Sequence, residues 1–161
     1  LQLIPPIMRP EADIIAGPLM DAELRQPLER GAASDGIRFH RTHSNMQGLL
    51  EQADLFVTMG GYNSVVEAIA TGCRTLVVPR VGPSAEQRMR ASCLSQLGMI
   101  ETIDPQEASP AALAAVFSTV GTTARRRHAI DLDGAERAAA FIGDAIIDQT
   151  NRTQVNHAKT A

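Results

Sequence analysis

The sequence is poor in aromatic residues and in cysteine, and both shortages exclude classes of function. Its 161 residues include no Trp, one Tyr and four Phe, so the aromatic platforms on which proteins stack single-stranded nucleic acid are missing. The formal net charge is -3 at pH 7, whereas a nucleic-acid-binding surface is normally basic. Two cysteines, Cys73 and Cys93, cannot build a disulfide framework or a zinc site. We predict no nucleic-acid partner, buried cysteines and a reducing, cytoplasmic setting.

Long apolar runs and low-complexity segments are missing as well. No stretch approaches the ~18 consecutive apolar residues of a transmembrane helix. A composition of 44% hydrophobic and 20% charged residues is that of an ordinary folded domain. The chain begins at Leu1 rather than Met, and we expect it to be a piece of a longer protein. We predict one domain over residues 1–150 and a flexible polar tail over residues 151–161.

Short β-branched runs alternate with helical patterns along most of the chain. The strand candidates are Asp13–Ala16, Ile37–His40, Leu55–Thr58, Thr75–Val78 and Ile100–Ile103. The helix candidates are Asp21–Arg30, Met46–Gln52, Ser64–Thr71, Ala85–Leu97, Pro110–Val120 and Gly134–Asp148. This alternation predicts an α/β fold, a Rossmann-like doubly wound parallel sheet with helices on both faces.

Serines mark most of the predicted helix starts. Ser44, Ser64 and Ser84 are each followed three residues later by Gln or Glu, which is the spacing of a capping box, and Ser109 precedes a proline. In open parallel sheets, ligands bind outside the carboxyl ends of the strands, where the helix N-termini point. We therefore expect a ligand site at that edge.

The turn at Gly60 and Gly61 is the strongest candidate for that site. Glycines permit positive φ and close approach of the backbone to a ligand, and the N–H groups at a helix start favour an anion such as a diphosphate. Glu67 lies one turn into the following helix, within reach of a sugar hydroxyl pair, or else it closes a capping box with Ser64. The corresponding structural interpretation of Gln87 is that it closes a capping box with Ser84.

A set of motifs in fixed order surrounds this turn: Gly60-Gly61-Tyr62-Asn63-Ser64, Glu67, Gly72, a strand that ends at Pro79, and Glu86-Gln87-Arg88. Over about residues 35–117 this order resembles the glycosyltransferase family 28 C-terminal domain. That domain is the donor-binding half of MurG-like GT-B enzymes, and the turn is similar to that of bacterial predicted glycosyltransferases. The resemblance implies a metal-independent transfer of a hexosyl group from an NDP-sugar, by family default a UDP-sugar, to an acceptor.

The resemblance also implies which residues bind the nucleotide-sugar donor. In the family, the acidic residue after the glycine turn binds the ribose hydroxyls, and the loop before Met46 holds the base through its backbone. The turn and the start of the following helix contact the diphosphate. The polar pair after the next strand touches the donor sugar, although MurG has Gln-Gln there. The implied set is Thr42, His43, Gly60, Gly61, Tyr62, Asn63, Ser64, Glu67, Glu86 and Gln87.

Parts of the family pattern are missing from the sequence. The family domain begins with a strand and a Gly-rich loop, and no residues before Asp13 match either of them. In the family a helix follows that loop, and Leu1–Pro6 is similar to the end of this helix. The N-terminal acceptor domain, which usually supplies the general base, is absent too. We therefore name no catalytic residue and expect this piece alone to be inactive.

Other clusters have ordinary interpretations. Asp131-Leu132-Asp133 has the Asp-x-Asp spelling of metal-dependent glycosyltransferases, but it precedes a helix, where acids are common cap and first-turn residues. We expect no metal and no cofactor. His40 and His43 are spaced like metal ligands on a loop, but no third ligand is evident. We expect the His43 side chain to stabilise its own loop. The run Arg125-Arg126-Arg127-His128 is typical of a solvated face or a helix C-terminus, or it contacts anionic lipid headgroups.

Two alternative functions stay open at this point. An NDP-sugar 2-epimerase-like enzyme shares the two-domain architecture, but two adjacent acids usually follow its Gly-Gly turn and this helix has Glu67 alone. A non-catalytic donor-binding subunit of a split glycosyltransferase would dock onto a membrane partner. A lipid- or glycan-linked acceptor would place the protein at the inner membrane face.

Overall fold

The computed structural model describes residues 11–34, 37–82, 85–122, 125 and 130–158. Contacts divide the chain into two compact units between residues 128 and 129. The described elements of the first unit are β1 (Asp13–Ile15), α1 (Ala22–Ser34), β2 (Arg38–His40), α2 (Met46–Gln52), β3 (Phe56–Thr58), α3 (Tyr62–Thr71), β4 (Thr75–Val77), α4 (Glu86–Gln96), β5 (Glu101–Thr102) and α5 (Pro110–Phe117). The second unit contains α6 (Gly134–Ala158).

The strands pair in parallel, as the alternating pattern predicted. β1 pairs with β2, placing Ile14 opposite Phe39, and β3, β4 and β5 pair in that order, placing Val57 opposite Leu76. The α/β fold is therefore confirmed, with its strands in two parallel sheets rather than one.

Each predicted strand and helix is present, and the differences are at the ends. α1 continues through Pro27 to Ser34, because a proline removes one helical hydrogen bond without necessarily ending the helix. α6 reaches Ala158, beyond the predicted end at Asp148. The segment Leu1–Pro6 lies outside the described residues. The single domain over residues 1–150 and the flexible tail over residues 151–161 stay predictions.

The core of the first unit lies where α2 and α3 pack beside β3 and β4. All three residues of β4 are buried. Leu50, Ala68 and Cys73 form a buried cluster, and Ala53 and Phe56 pack against it. This packing fixes α3 against the sheet, so its N-terminus stands at the carboxyl end of β3.

The two cysteines differ in environment. Cys73 is buried, and that burial raises the pKa of its thiol. Cys93 is exposed, so the prediction that it is buried was wrong. The reason is that α4 is a polar helix whose buried residue is Ala91, and Cys93 is on another face.

Arg125 stabilises the carboxyl ends of two helices. It donates through Nη2 to the Ala53 carbonyl at 2.7 Å and through Nη1 to those of Leu50 and Thr71 at 3.2 and 3.5 Å. A cation is favourable there because the last carbonyls of a helix lack intrahelical donors. For Arg125 the helix C-terminus interpretation of the basic run is confirmed, while Arg126–His128 lies outside the described residues. Within the described ranges, no helix has both the length and the apolar composition that a bilayer crossing requires.

Candidate functional site

The chain passes from β3 into α3 through a turn that requires glycine. Gly60 is buried and has φ +83°, a conformation that side chains with a Cβ rarely adopt. A Cβ at this position would also meet Val77 Cγ1 at 2.8 Å. The Gly60 N–H donates to Thr58 Oγ1 at 3.3 Å. Two independent constraints therefore select glycine at position 60.

The start of α3 has no side-chain cap. Its N-cap residue is Gly61, and no side chain hydrogen-bonds the first turn as a cap. Ser64 lies inside the helix rather than before it, so the capping box between Ser64 and Glu67 is wrong. The first N–H groups of a helix have no intrahelical acceptor and carry the positive end of its dipole. Tyr62 and Asn63, which begin the helix, are both exposed, so this end of α3 suits an anion.

Glu67 lies on a groove between α2 and α3. The groove has a volume of about 410 Å³ and is also lined by Gln47, Glu51, Ala70, Thr71 and Arg125. Gln47 Nε2 donates to Glu51 Oε1 at 3.0 Å across one turn of α2. The Glu67 carboxylate is exposed and has no capping task, so it is available to accept hydroxyl groups in the groove.

The loop between β2 and α2 contains Thr42 and His43. His43 Nδ1 accepts the N–H of Asn45 at 3.2 Å, and its ring meets that of His40 edge-on at 5.3 Å. The His43 side chain thus supports its own loop, in agreement with the scaffolding interpretation. Thr42 is exposed. The loop can therefore offer a ligand its backbone and the exposed Thr42 side chain.

Helix α4 contacts the glycine turn through Arg90, which lies one helical turn after Glu86. Arg90 Nη1 donates to the Gly60 carbonyl at 3.1 Å, and Nη2 donates to Glu86 Oε1. The guanidinium carbon lies 5.3 Å from the centroid of the Tyr62 ring, within cation–π range. The structure thereby brings Glu86 beside the glycine turn, with the half-buried Gln87 next to it in the same helical turn.

Arg90 is the site residue that the sequence analysis missed. Its spacing of four from Glu86 is a recognisable signal for an ion pair on a helix. Its contacts with Gly60 and Tyr62 cross from α4 to α3 and leave no trace in local sequence. The capping box proposed for Gln87 involves Ser84, which lies outside the described residues, and the N-cap residue of α4 is Ala85 without a side-chain cap.

The Asp-x-Asp sequence in the second unit has a local structural role. Asp131 Oδ1 accepts the N–H of Asp133 at 2.9 Å, and Asp131 Oδ2 pairs with Arg137 in the first turn of α6. Among the described residues, no group of three or more His, Cys, Asp or Glu side chains is arranged to hold a metal ion.

Comparison with known proteins gives one family. The profile of the glycosyltransferase family 28 C-terminal domain matches residues 14–136. The NDP-glycosyltransferase YjiC of Bacillus subtilis (strain 168) is 30% identical over 102 residues, which is 58% of this chain and 25% of that protein. YjiC of Bacillus licheniformis is 31% identical over 109 residues, covering 60% and 27%.

A solved structure gives the same result for the fold. The glycotransferase of kitacinnamycin superimposes with a TM-score of 0.55 at 26% identity, over 70% of this chain and 27% of that one. This chain spans about a quarter of the length of the curated relatives that it matches.

Proposed function

The chain belongs to the glycosyltransferase family 28 C-terminal domain, and from this we propose that it is the donor-binding half of a GT-B glycosyltransferase that uses a nucleoside diphosphate sugar. The names of the relatives, NDP-glycosyltransferases, support a donor of this class. A UDP-linked hexose is the specific form that we propose. The acceptor domain would belong to the rest of a longer protein.

The observation that carries the proposal is the uncapped start of α3. Its N-cap is Gly61, the preceding Gly60 has φ +83°, and the turn stands at the carboxyl end of β3. Backbone N–H groups at such a position stabilise a diphosphate without a side chain or a metal ion. We assign the diphosphate to Gly60, Gly61, Tyr62, Asn63 and Ser64.

The remaining parts of the donor follow from the neighbours of this turn. We assign the ribose hydroxyls to Glu67, because its carboxylate faces the groove beside α2 and makes no capping box. The backbone of Thr42 and His43 would hold the base. Glu86 and Gln87, in the first turn of α4, would contact the donor sugar.

The chemistry of this half-site is stabilisation of a leaving group. In the proposed reaction an acceptor hydroxyl oxygen forms a bond to the anomeric carbon, and the bond from that carbon to the β-phosphate oxygen breaks. The electron pair leaves on the nucleoside diphosphate, and the hydroxyl proton passes to a general base outside this chain. The negative charge that develops on the diphosphate lies against the N-terminal amides of α3, which are preorganised to receive it.

Calorimetric titration of the chain with UDP, ADP, GDP and dTDP tests this proposal. We expect one nucleotide to bind in preference to the others and Glu67→Gln to weaken it about tenfold to a hundredfold, since hydrogen bonds to a charged group contribute about 1.5–3 kcal/mol. Glu107→Gln, at an exposed turn after β5, is the matched control and should bind like the wild type. Absence of nucleotide binding, or equal loss in both variants, would refute the proposal.

A further inference from the structure

We propose that Arg90 is a positioning residue that fixes the orientation of the Gly60–Gly61 peptide, so that the Gly61 N–H points to the phosphate position. The inference rests on the proposed function, because it treats the start of α3 as the diphosphate site. It goes further by giving a role to a side chain that contacts the backbone of the turn.

The contacts of Arg90 join three parts of the candidate site. Its side chain is only 20% exposed, and each terminal nitrogen has a partner, the Gly60 carbonyl at 3.1 Å for Nη1 and Glu86 for Nη2. The guanidinium also lies over the Tyr62 ring. These three contacts fix both the position and the plane of the guanidinium relative to the turn.

The contact with the Gly60 carbonyl determines where the next amide points. In a trans peptide the C=O and N–H groups point in opposite directions. Since the Gly60 carbonyl points to α4 and Arg90, the Gly61 N–H points away from α4. That direction adds the Gly61 N–H to the open N–H groups of the α3 start as a further donor to an anion.

A peptide between two glycines needs such a restraint. Neither Gly60 nor Gly61 has a Cβ that limits rotation of the peptide plane between them. A rotated plane would present the Gly60 carbonyl oxygen to the ligand, replacing a donor by a partial negative charge. The hydrogen bond from Arg90 opposes that rotation directly.

The charge of Arg90 does not by itself explain an effect on phosphate binding. The guanidinium is paired with the Glu86 carboxylate, so the two charges largely cancel at a distance. A lysine has a single ammonium group and cannot reproduce the planar fork that contacts both the carbonyl and the carboxylate while lying over the ring. Arg90→Lys therefore keeps the charge and one donor nitrogen but loses part of the restraint.

The test compares Arg90→Met, Arg90→Lys and the control Arg88→Met on the same helix, where Arg88 is exposed. Each variant is titrated with whichever of UDP, ADP, GDP and dTDP binds the wild type best, and with its nucleoside. We expect Arg90→Met to weaken the diphosphate about tenfold, the equivalent of one hydrogen bond, and to leave the nucleoside unchanged. Arg90→Lys should be intermediate, and Arg88→Met should match the wild type.

The Gly61 amide provides a direct readout by ¹H–¹⁵N NMR. We expect its resonance to shift on addition of the diphosphate in the wild type and in Arg88→Met, and to shift much less in Arg90→Met. Equal weakening of diphosphate and nucleoside would show a general structural effect and overturn the inference, as would unchanged binding. Failure of the wild type to bind any nucleotide would instead overturn the proposed function on which the inference depends.

Discussion

Asp13 and Arg38 form a two-point ion pair across the neighbouring strands β1 and β2. Arg38 Nε lies 2.9 Å from Asp13 Oδ1, and Arg38 Nη2 lies 2.8 Å from Asp13 Oδ2. Oδ1 also lies 2.7 Å from His40 Nε2. The hydrogen bonds from Arg38, followed by that from His40, outweigh the effect of burial and lower the pKa of Asp13 from 3.8 to about 2. One carboxylate thus links two side chains of the partner strand.

This ion pair predicts a specific loss of stability in acid. The pKa of Asp13 is lower in the folded protein than in the unfolded chain, so its contribution to stability is complete above about pH 4 and is lost as the pH falls to about 2. We expect Asp13→Asn to lower the free energy of unfolding by about 1–2 kcal/mol at pH 7. Solvent screening of the exposed Arg38 keeps the effect below the full linkage value.

Urea unfolding at several pH values measures this effect. The difference between the wild type and Asp13→Asn should shrink steadily from pH 4 towards pH 2. Glu107→Gln, which removes an exposed carboxylate elsewhere in the first unit, serves as the control and should differ little from the wild type at any pH. A stability difference for Asp13→Asn that stays constant down to pH 2 would contradict the assignment.

The glycine turn predicts different effects for two glycine-to-alanine substitutions. Gly98 has φ +68° and open space within 4 Å of the point where a Cβ would lie, whereas at Gly60 the same atom would meet Val77 Cγ1 at 2.8 Å. Gly98→Ala should destabilise by about 1 kcal/mol from backbone strain alone. Gly60→Ala should destabilise by about 2–4 kcal/mol, because steric overlap in a packed core adds to the strain.

A double variant separates the two contributions at position 60. Val77→Ala removes the clashing Cγ1 atom, so Gly60→Ala/Val77→Ala should be more stable than the sum of the single effects by about 1 kcal/mol. Thermal unfolding of the four proteins gives this coupling. Strictly additive effects of the two substitutions would mean that steric overlap with Val77 does not contribute to the destabilisation by Gly60→Ala.

The start of α2 predicts which of two adjacent polar residues caps the helix. Asn45 Oδ1 accepts the N–H of Gly48 at 2.9 Å and is the N-cap residue, so the sequence-based assignment of the cap to Ser44 was wrong. Asn45→Ala should lower the free energy of unfolding by about 1 kcal/mol. Ser44→Ala should change it by less than about 0.5 kcal/mol. A larger loss of unfolding free energy in Ser44→Ala than in Asn45→Ala, measured by urea unfolding, would instead identify Ser44 as the cap.

Features that depend on regular local patterns were predictable from the sequence. The alternating apolar runs located the five strands, and Ser109 before Pro110 marked the start of α5, where Ser109 Oγ accepts the N–H of Ala112 at 3.1 Å. The glycine pair located the turn before α3. In each case a few adjacent residues determine the geometry, so the sequence contains the signal.

Features that depend on tertiary contacts were not predictable in the same way. A capping box is defined by the register of a helix. A shift of the N-cap by one residue in α2, from Ser44 to Asn45, or by three in α3, from Ser64 to Gly61, removes the expected box. The contact between Arg90 and the Gly60 carbonyl joins residues thirty positions apart. It depends on how α4 packs beside α3, which no local pattern specifies.

The uncapped start of α3 has a thermodynamic consequence for the whole first unit. A helix with glycine at its N-cap is less stable by roughly a few tenths of a kcal/mol than the same helix with Ser, Asp or Asn there, and α3 contributes Val65, Ala68 and Ile69 to the buried core. Under the proposed function, an anion bound at Gly61 would supply acceptors to these N–H groups, so occupancy and core stability would be linked and would rise together with ligand concentration. Departure of that anion would return the helix to its less stable state, so opening of this segment would be easiest when the site is empty.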